Sequence, residues 1–495
     1  MKMSVKTKRT SDKLNVAQLG GGIDFSDYPS AKRAFKYFEE ISEIPRCSGN
    51  TAPIADYLVG FAKGAGLDCY RDGADNVIIK KPASAGYEDH PTVILQGHTD
   101  MVKQTSPDCT VDMDREGLQL FRSGDKLGAL GTTLGADDGI AVAYMLALLS
   151  DKDAVHPPIE ALFTSDEEIG LLGAAELDAS RLSGRTMINI DSDAEGIFTV
   201  GCAGGVRVDI KLPLVRDIEG GYYYTLDIGG LRGGHSGTEI NSGRENAIKI
   251  LGEALLTVPN LKISKISGGN ADNAIPRSAT ATFTTSTKRA GELLSKVARV
   301  TDRYKEAEPD IHFEIKPIAS ATLPFTEESS SKIVRLIAEE PVGVVEMSKD
   351  IEGLVETSLN LGIIESSGTE LTLTASVRSS VDKKKSELVK KIGNIAKKFG
   401  AVCHAHGEYP AWEYRQNSKL REVMCREYER MYGKRAKVMT IHAGLECGIF
   451  AGKLEGLDCV SIGPDNFDIH TTEERLCLSS AARVWGFLLE VLKKL

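Results

Sequence analysis

Histidine and carboxylate side chains that could bind a metal ion follow short apolar runs in this sequence. The candidates are His98 and Asp100, Asp137 and Asp138, Glu167 and Glu168, Asp191 and Asp193, and His470. Imidazole nitrogen and carboxylate oxygen are ligands that zinc accepts, and a catalytic zinc site keeps one position open for water. A carboxylate that bridges two metal ions would hold them close together, as in two-metal hydrolases. The residue types therefore indicate a site for a pair of divalent cations.

Each of these clusters also has a purely structural interpretation when it is taken alone. The acidic pair that begins at Asp137 could cap the apolar helix that follows it. The pair that begins at Glu167 could complement a helix dipole, Asp191 could end a strand in a turn, and His470 could be a loop residue. The metal interpretation is favoured because ligands gather at the carboxyl ends of strands in an open α/β sheet. We predict that these residues follow five such strands.

The spacing within two clusters indicates a division of roles. Asp100 lies two residues after His98, so it could accept the second imidazole N–H and fix the tautomer. Glu167 and Glu168 are adjacent and cannot point in one direction. One of them could bind a metal ion while its neighbour acts as a base on water.

The first 200 residues alternate between helical and strand patterns. Residues 30–43 and 52–65 have the apolar spacing of helices, and 140–149 is apolar on nearly every side, as a buried helix would be. Residues 92–95, 159–164 and 187–190 are short apolar runs typical of strands. The alternation predicts an α/β domain with a largely parallel sheet and possible antiparallel edges.

The middle of the chain has a different pattern. Residues 207–228 and 279–287 are Thr-rich and alternate as half-exposed antiparallel strands do. Residues 273–286 (NAIPRSATATFTTS) have a weak echo in 360–380, and helical stretches follow at 288–306 and 382–399. We interpret this part as a tandem of two related α+β units, one following the other along the chain.

The α/β pattern returns after about residue 415, with a helix near 418–431, a strand at 458–462 and a closing helix from about 480. The order predicts a split α/β catalytic domain, about 1–203 and 412–495, with an inserted α+β lid domain at 204–411.

Composition and charge exclude several classes of protein. The formal charge of −10 argues against a nucleic-acid partner. No apolar run is long enough to span a membrane, and the basic N-terminus lacks the apolar stretch of a secretory signal. Nine scattered cysteines without a CxxC pair favour reduced thiols. We therefore expect a cytoplasmic protein with a core of normal size.

Several longer motifs together resemble one known superfamily. They are QGHTDMV, TTLGADDGIA, SDEEIG, NIDSDAEG, GGHSG, NAIPR, HAGLECGIF and the C-terminal histidine. This set is similar to the dinuclear zinc metallopeptidases that include carnosinase and glutamate carboxypeptidase. The phrases GCAGG at 201–205 and HAGLECG at 442–448 resemble the aminoacyl-histidine dipeptidase branch, also called the Xaa-His or cytosol non-specific dipeptidases. The resemblance extends from about residue 45 to the end of the chain.

The resemblance implies a ligand set for two metal ions. His98 and Asp191 would bind one zinc, and Glu168 and His470 would bind the other. Asp137 would bridge the two, with a cis peptide bond after it. Asp191 is preferred over the acid two residues later because it follows the strand directly. Zinc is the expected metal, although manganese and cobalt also suit this ligand set.

The resemblance also implies roles beyond the metal ligands. Asp100 would orient His98, and Glu167 would be the general base. His235 would steady the oxyanion from the lid domain, while Asn273 and Arg378 would hold the substrate. Arg378 would grip the substrate carboxylate with two hydrogen bonds.

The predicted function is therefore hydrolysis of unblocked dipeptides, including Xaa-His, by a dinuclear metalloenzyme that could be a homodimer. Alternatives within the superfamily are a tripeptidase, an amino-acid deacylase and a carboxypeptidase. Another class is a metal-stabilised binding protein without catalysis, against which the presence of Glu167 argues.

Overall fold

A computed structural model describes residues 22–218, 220–288, 290–349, 351 and 353–495. The basic N-terminal segment, for which no secretory signal was expected, lies outside the described residues. No helix in the described part is both long and apolar enough to cross a membrane.

Helices and strands alternate along much of the described chain. The helices are α1 (Lys32–Ser42), α2 (Ala52–Ala65), α3 (Ala136–Ser150), α4 (Leu172–Glu176), α5 (Ala247–Leu256), α6 (Ala290–Thr301), α7 (Glu327–Glu339), α8 (Asp382–Lys398), α9 (Lys419–Tyr432), α10 (Glu446–Lys453) and α11 (Leu478–Leu492). The strands as far as the middle of the chain are β1 (Asp68–Arg71), β2 (Val77–Lys81), β3 (Val93–His98), β4 (Leu120–Ser123), β5 (Lys126–Ala129), β6 (Ile159–Thr164), β7 (Thr186–Asn189), β8 (Ile197–Cys202), β9 (Gly204–Pro213), β10 (Tyr222–Gly229), β11 (Gly234–His235) and β12 (Lys262–Gly268). The remaining strands are β13 (Ala274–Ile275), β14 (Ala279–Thr285), β15 (His312–Ile318), β16 (Gly343–Met347), β17 (Val355–Ser367), β18 (Glu370–Ser379), β19 (Val402–Tyr409), β20 (Lys437–Ile441), β21 (Asp458–Ser461), β22 (Asn466–Phe467) and β23 (Arg475–Cys477).

Contacts divide the chain into two compact units. The first contains the described residues up to Val200, with Arg415–Met439 and Ile449–Leu495. The second contains Gly201–Tyr414 and Thr440–Gly448. The sequence placed the limits at 203/204 and 411/412 and did not predict that the HAGLECG segment groups with the second unit. The roles of these parts as catalytic and lid domains stay a prediction.

The first unit is built on an eight-stranded sheet in the order β1-β2-β6-β3-β7-β21-β8-β20. The central strands β6, β3, β7 and β21 are parallel, whereas β1, β2 and β8 join antiparallel to their neighbours. β3 and β6 are buried at every position, as expected for strands covered on both faces. The predicted antiparallel edges are present, but the parallel part is smaller than predicted and comprises four of the eight strands.

Helix α3 is buried nearly all round, as its continuous apolar sequence predicts, and it packs against β3 and α1. The approach to β3 is close at Gly97, where an added Cβ would lie 2.5 Å from the Cβ of Ala141 and 2.4 Å from Asp138 Oδ2. Glycine at this position therefore allows the strand carrying His98 to lie against the helix that begins beside Asp137.

Two of the five predicted strand ends are wrong. Asp137 and Asp138, expected to follow a strand of the main sheet, instead follow a loop between β5 and α3, and β5 belongs to a separate sheet ordered β22-β23-β5-β4. His470 does not directly follow β21 but lies between the short strands β22 and β23 of that same separate sheet. A short apolar run does not distinguish a strand from an extended buried loop.

The second unit contains a nine-stranded antiparallel sheet, ordered β15-β10-β14-β12-β17-β18-β9-β19, with β16 pairing to β17. Its two halves have the same design. Along the chain, one half runs β10-α5-β12-β14-α6-β15 and the other β9-α7-β17-β18-α8-β19. When the four strands of each half are numbered in chain order, both halves have the spatial order 4-1-3-2 across the sheet. The halves join edge to edge through β12 and β17.

This arrangement explains the weak similarity between residues 273–286 and 360–380. The predicted pair of related α+β units is present as the two halves of this sheet with their helices. The half that contains β10 does not precede the other half but is inserted between its β9 and its α7. Helices α5 to α8 share one apolar core with the sheet. The core of the first unit is a separate cluster.

Candidate active site in the first unit

Three neighbouring parallel strands bring candidate ligands to one edge of the main sheet. His98 is the last residue of β3 and pairs in register with Thr164, the last residue of β6. Glu168 lies four residues after that strand end, and Asp191 lies two residues after the end of β7, which flanks β3 on the other side. The carboxyl ends of parallel strands meet at one edge, so these side chains converge.

The carboxylate of Asp137 lies between two imidazoles. Its Oδ1 is 3.1 Å from His98 Nε2, and its Oδ2 is 3.2 Å from His470 Nε2. The peptide bond from Asp137 to Asp138 is cis, as the resemblance implied. One oxygen facing each imidazole is the arrangement that a bridging carboxylate would need.

Two further carboxylates complete the cluster, one beside each imidazole. Asp191 Oδ1 lies 3.7 Å from His98 Nε2, and Glu168 Oε1 lies 2.9 Å from His470 Nε2. The five residues predicted as ligands are therefore together in the first unit, and they divide into the two pairs that the resemblance implied. Their role as ligands stays a prediction.

The cluster fits divalent cations in its chemistry. Glu168 Oε1 is buried and makes no hydrogen bond of good geometry to a described residue. Potential ligand atoms of His98, Asp137 and Glu168 lie within 4.8 Å of one another, as do those of His98, Asp138 and Asp191. Asp138 Oδ2 already accepts a hydrogen bond from the His98 backbone N–H, which leaves Asp137 as the candidate for a bridging carboxylate. Buried carboxylates packed this closely favour bound cations.

The electrostatics of the cluster reflect this crowding. Burial lowers the pKa of His98, but the carboxylates of Asp100, Asp137 and Asp191 outweigh burial and hold that pKa well above its ordinary value. Asp137 and Glu168 raise the pKa of His470 to about 10. Burial, with the charges of neighbouring acids, raises the pKa of Asp191 well above its usual range. The crowded carboxylates thus favour positive charge on the two imidazoles beside them.

Asp100 connects a candidate ligand to the predicted base. Its backbone carbonyl lies 3.1 Å from His98 Nδ1, and its carboxylate Oδ1 lies 3.5 Å from the same nitrogen. Oδ1 also accepts the backbone N–H of Glu167 at 3.0 Å, and Oδ2 accepts the hydroxyl of Ser48 at 2.8 Å. Asp100 therefore fixes both the imidazole of His98 and the start of the Glu167 turn.

Two charged residues that the sequence analysis did not identify hold the loop before Asp137. The carboxylate of Glu474 accepts backbone N–H groups from four consecutive residues, Leu134, Gly135, Ala136 and Asp137, at 2.8 to 3.3 Å. The buried guanidinium of Arg46 donates to the carbonyls of Gly135 at 2.5 Å and Thr99 at 2.9 Å. These partners are far apart in sequence, and no local motif marks them.

The predicted substrate residues lie in the second unit. His235 in β11 pairs with Ala274 in β13, next to Asn273, whose carbonyl accepts the backbone N–H of Ser236 at 2.8 Å. Burial and then the charge of Arg378 lower the pKa of His235. A neutral imidazole at neutral pH can donate a hydrogen bond to a developing oxyanion.

Arg378 lies in β18 and is buried, with 8% of its surface exposed. Its Nη1 donates to the hydroxyl of Tyr409 at 2.8 Å, and its Nε is buried without a hydrogen bond to any described residue. The structure therefore places an incompletely bonded guanidinium in the second unit.

Comparison with known proteins identifies the family. The profile of peptidase family M20/M25/M40 matches residues 94–494, and the chain belongs to this family. It is a hydrolase that acts on peptide bonds.

Individual relatives are similar over nearly the whole chain. The cytosol non-specific dipeptidase of Escherichia coli is 36% identical over 467 residues, which cover 92% of this chain and 96% of that protein. The crystal structure of aminoacylhistidine dipeptidase from Vibrio alginolyticus matches with a TM-score of 0.87 at 35% identity, covering 94% of this chain and 96% of the other. Aminopeptidase PepT from Bacillus cereus matches with a TM-score of 0.56 at 17% identity, covering 94% and 98%, and shares the fold.

Proposed function

We propose that this protein is a metal-dependent dipeptidase that hydrolyses unblocked dipeptides, including those that end in histidine. The observation that carries the proposal is the Asp137 carboxylate between His98 and His470, each imidazole accompanied by a further carboxylate. Two relatives above 30% identity bear dipeptidase names. The name of the Escherichia coli relative also supports a cytosolic location.

The proposed metal site contains His98 and Asp191 on one side, Glu168 and His470 on the other, and Asp137 between them. When bound, two divalent metal ions, with zinc as the first candidate, would supply Lewis acidity and make water nucleophilic near neutral pH. Manganese and cobalt are further candidates for the same set of ligands.

Glu167 is the proposed general base. It follows β6 next to the candidate ligand Glu168, and its backbone is held by Asp100. Glu167 takes a proton from the attacking water as the water oxygen bonds to the peptide carbonyl carbon. It then gives that proton to the nitrogen as the carbon–nitrogen bond breaks, so that an amino group leaves.

The second unit supplies the proposed substrate contacts. His235 donates a hydrogen bond to the oxyanion that develops on the carbonyl oxygen. Arg378 binds the terminal carboxylate with two parallel hydrogen bonds, and Asn273 contacts the substrate backbone. A dipeptidase must recognise both ends of its substrate, and a buried cation for the carboxyl end meets half of that requirement.

A panel of four substrates tests the proposed function. We expect the metal-loaded protein to hydrolyse alanyl-histidine fastest, and alanyl-alanyl-histidine, N-acetyl-histidine and N-acetyl-alanyl-histidine at least about tenfold more slowly by kcat/KM. Faster hydrolysis of the tripeptide would indicate a tripeptidase, and faster hydrolysis of N-acetyl-histidine a deacylase. Absence of hydrolysis in the whole panel would contradict the proposal.

A further inference from the structure

Three strands of the second unit place Arg378, Gly205 and Tyr409 in one row. Arg378 in β18 pairs directly with Gly205 in β9, and Gly205 pairs with Tyr409 in β19. Side chains at directly paired positions lie on the same face of a sheet. A tyrosine and an arginine separated by a glycine can therefore meet over the middle strand.

The ring of Tyr409 lies over this glycine and reaches the arginine. An added Cβ on Gly205 would lie 2.5 Å from the ring, and one on Gly444 would lie 2.8 Å from it. The Tyr409 hydroxyl lies 2.8 Å from Arg378 Nη1. Neither glycine could carry a side chain without displacing the phenol ring, so GCAGG and HAGLECG each contribute a glycine beside it.

Further contacts fix Tyr409 itself. Lys385 is almost completely buried, with 2% of its surface exposed, and donates to the Tyr409 backbone carbonyl at 2.7 Å. Burial raises the pKa of Tyr409 above its ordinary value, so the hydroxyl is neutral at physiological pH. A neutral hydroxyl accepts a hydrogen bond from the guanidinium without cancelling its positive charge.

The hydrogen bond to Tyr409 does not use every donor of the guanidinium. Nη1 is engaged, whereas the buried Nε has no hydrogen-bond partner among the described residues. A carboxylate can accept two parallel hydrogen bonds from one edge of a guanidinium. Holding Nη1 fixes the plane of the group and so determines which edge is presented.

We infer that Tyr409 is a positioning residue that orients Arg378 toward the terminal carboxylate of the substrate. The inference rests on the proposed function, because it requires a substrate with a free carboxylate. Tyr409 acts through Arg378 and does not itself react.

Tyr409→Phe tests the inference because it keeps the ring and removes only the hydroxyl. We expect KM for alanyl-histidine to rise about tenfold, as for loss of a hydrogen bond to a charged group, with kcat changed less than twofold. KM for alanyl-histidine amide should stay at the wild-type value, and so should the metal content. Tyr222→Phe, at a tyrosine with 51% of its surface exposed, is the matched control and should behave as wild type.

A double-mutant cycle separates positioning from a general structural effect. In an Arg378→Ala background, Tyr409→Phe should cause no further change in KM for the free dipeptide. Three outcomes would each overturn the inference. Tyr409→Phe could raise KM equally for the dipeptide and its amide, or leave KM for the dipeptide at the wild-type value. The third outcome is that the effects of Tyr409→Phe and Arg378→Ala on KM simply add in the double mutant. If Arg378→Ala loses activity on the free dipeptide but not on its amide, while Tyr409→Phe shows no such difference between the two substrates, only this inference fails. Absence of hydrolysis of every free dipeptide by the wild type would overturn the proposed function, and the inference with it.

Discussion

At the scale of single residues, Asp137 has the most distinctive position, with one carboxylate oxygen facing each of two imidazoles. If it bridges two metal ions, Asp137→Ala should lose both, whereas His98→Ala and His470→Ala should each lose mainly one. Metal analysis by mass spectrometry after gel filtration measures this. Asp153→Ala, at an exposed acid of the same unit, is the control and should keep both. Retention of both metals by Asp137→Ala would refute the bridge.

The sequence could identify most residues of the candidate site because each stands beside a recognisable element. His98 ends a buried strand, and Glu168 and Asp191 follow two more that end at the same edge of the sheet. The dependence of Asp137 on Glu474 could not be found in this way, because hydrogen bonds between residues more than 330 positions apart leave no local pattern. The link between Arg378 and Tyr409 spans only 31 positions, but it depends on the lateral order of three strands, which the sequence pattern does not show.

At the scale of elements, the loop before α3 depends on the carboxylate of Glu474. Glu474→Gln replaces one accepting oxygen with a donor that faces backbone N–H groups. We expect a loss of about 1–3 kcal/mol in the free energy of unfolding and weaker metal binding, because Asp137 is no longer held. Chemical denaturation and metal titration measure the two effects. Glu473→Gln, at a side chain with 75% exposure, should change neither, and equal behaviour of the two variants would contradict this role.

Helix α7 is followed by a buried acid, Glu340, neither of whose carboxyl oxygens makes a hydrogen bond to a described residue. Burial raises its pKa from the ordinary 4.5 to about 8. The folded protein therefore binds more protons than the unfolded chain between these two pH values, so the free energy of unfolding contributed here falls as pH rises through this window.

Glu340→Gln should remove that pH dependence because glutamine does not titrate. We expect the variant to match wild type near pH 4.5 and to exceed its unfolding free energy at pH 8 by on the order of 1–4 kcal/mol. Denaturation curves at several pH values measure the difference. The control is Glu339→Gln, whose side chain is 32% exposed and pairs with Lys398, and it should keep the wild-type slope. Parallel pH profiles of Glu340→Gln and wild type would exclude the prediction.

The elements themselves were largely predictable, and the exceptions have physical reasons. Periodicity identified α1, α2 and the buried α3, because apolar spacing near 3.6 or a continuous apolar run indicates which faces are covered. The echo between residues 273–286 and 360–380 indicated two related units. Local patterns do not show that one of these units is inserted into the other. They also do not show that β12 pairs with β17, because this contact joins segments far apart in sequence.

At the scale of the whole molecule, the proposed chemistry requires residues of both units to act on one substrate. The first unit carries Glu167 and the candidate ligands, and the second carries His235. A homodimer, which stays a prediction, would allow His235 of one chain to serve the site of another.

Mixing two inactive variants tests this possibility. His235→Ala should lower kcat more than KM, because the charge that it steadies develops only in the transition state. Glu167→Gln should lower kcat by about 100- to 10,000-fold. If the histidine acts across a dimer, an equimolar mixture of the two variants should regain up to about a quarter of wild-type activity, because random pairing makes about half of the dimers mixed and each of these has one complete site of two. No recovery in dimers proven to be mixed would show that His235 acts within its own chain.

The central claim is metal-dependent hydrolysis of a free dipeptide with Glu167 as the base, and the release of histidine from alanyl-histidine tests it most directly. Wild-type protein and Glu167→Gln are stripped with a chelator, reloaded with zinc and assayed at matched metal content. We predict that stripped wild type is inactive, that zinc restores its activity, and that the fully reloaded Glu167→Gln protein stays at least about 100-fold slower. Full activity of the stripped protein, or a wild-type rate in reloaded Glu167→Gln, would contradict the account.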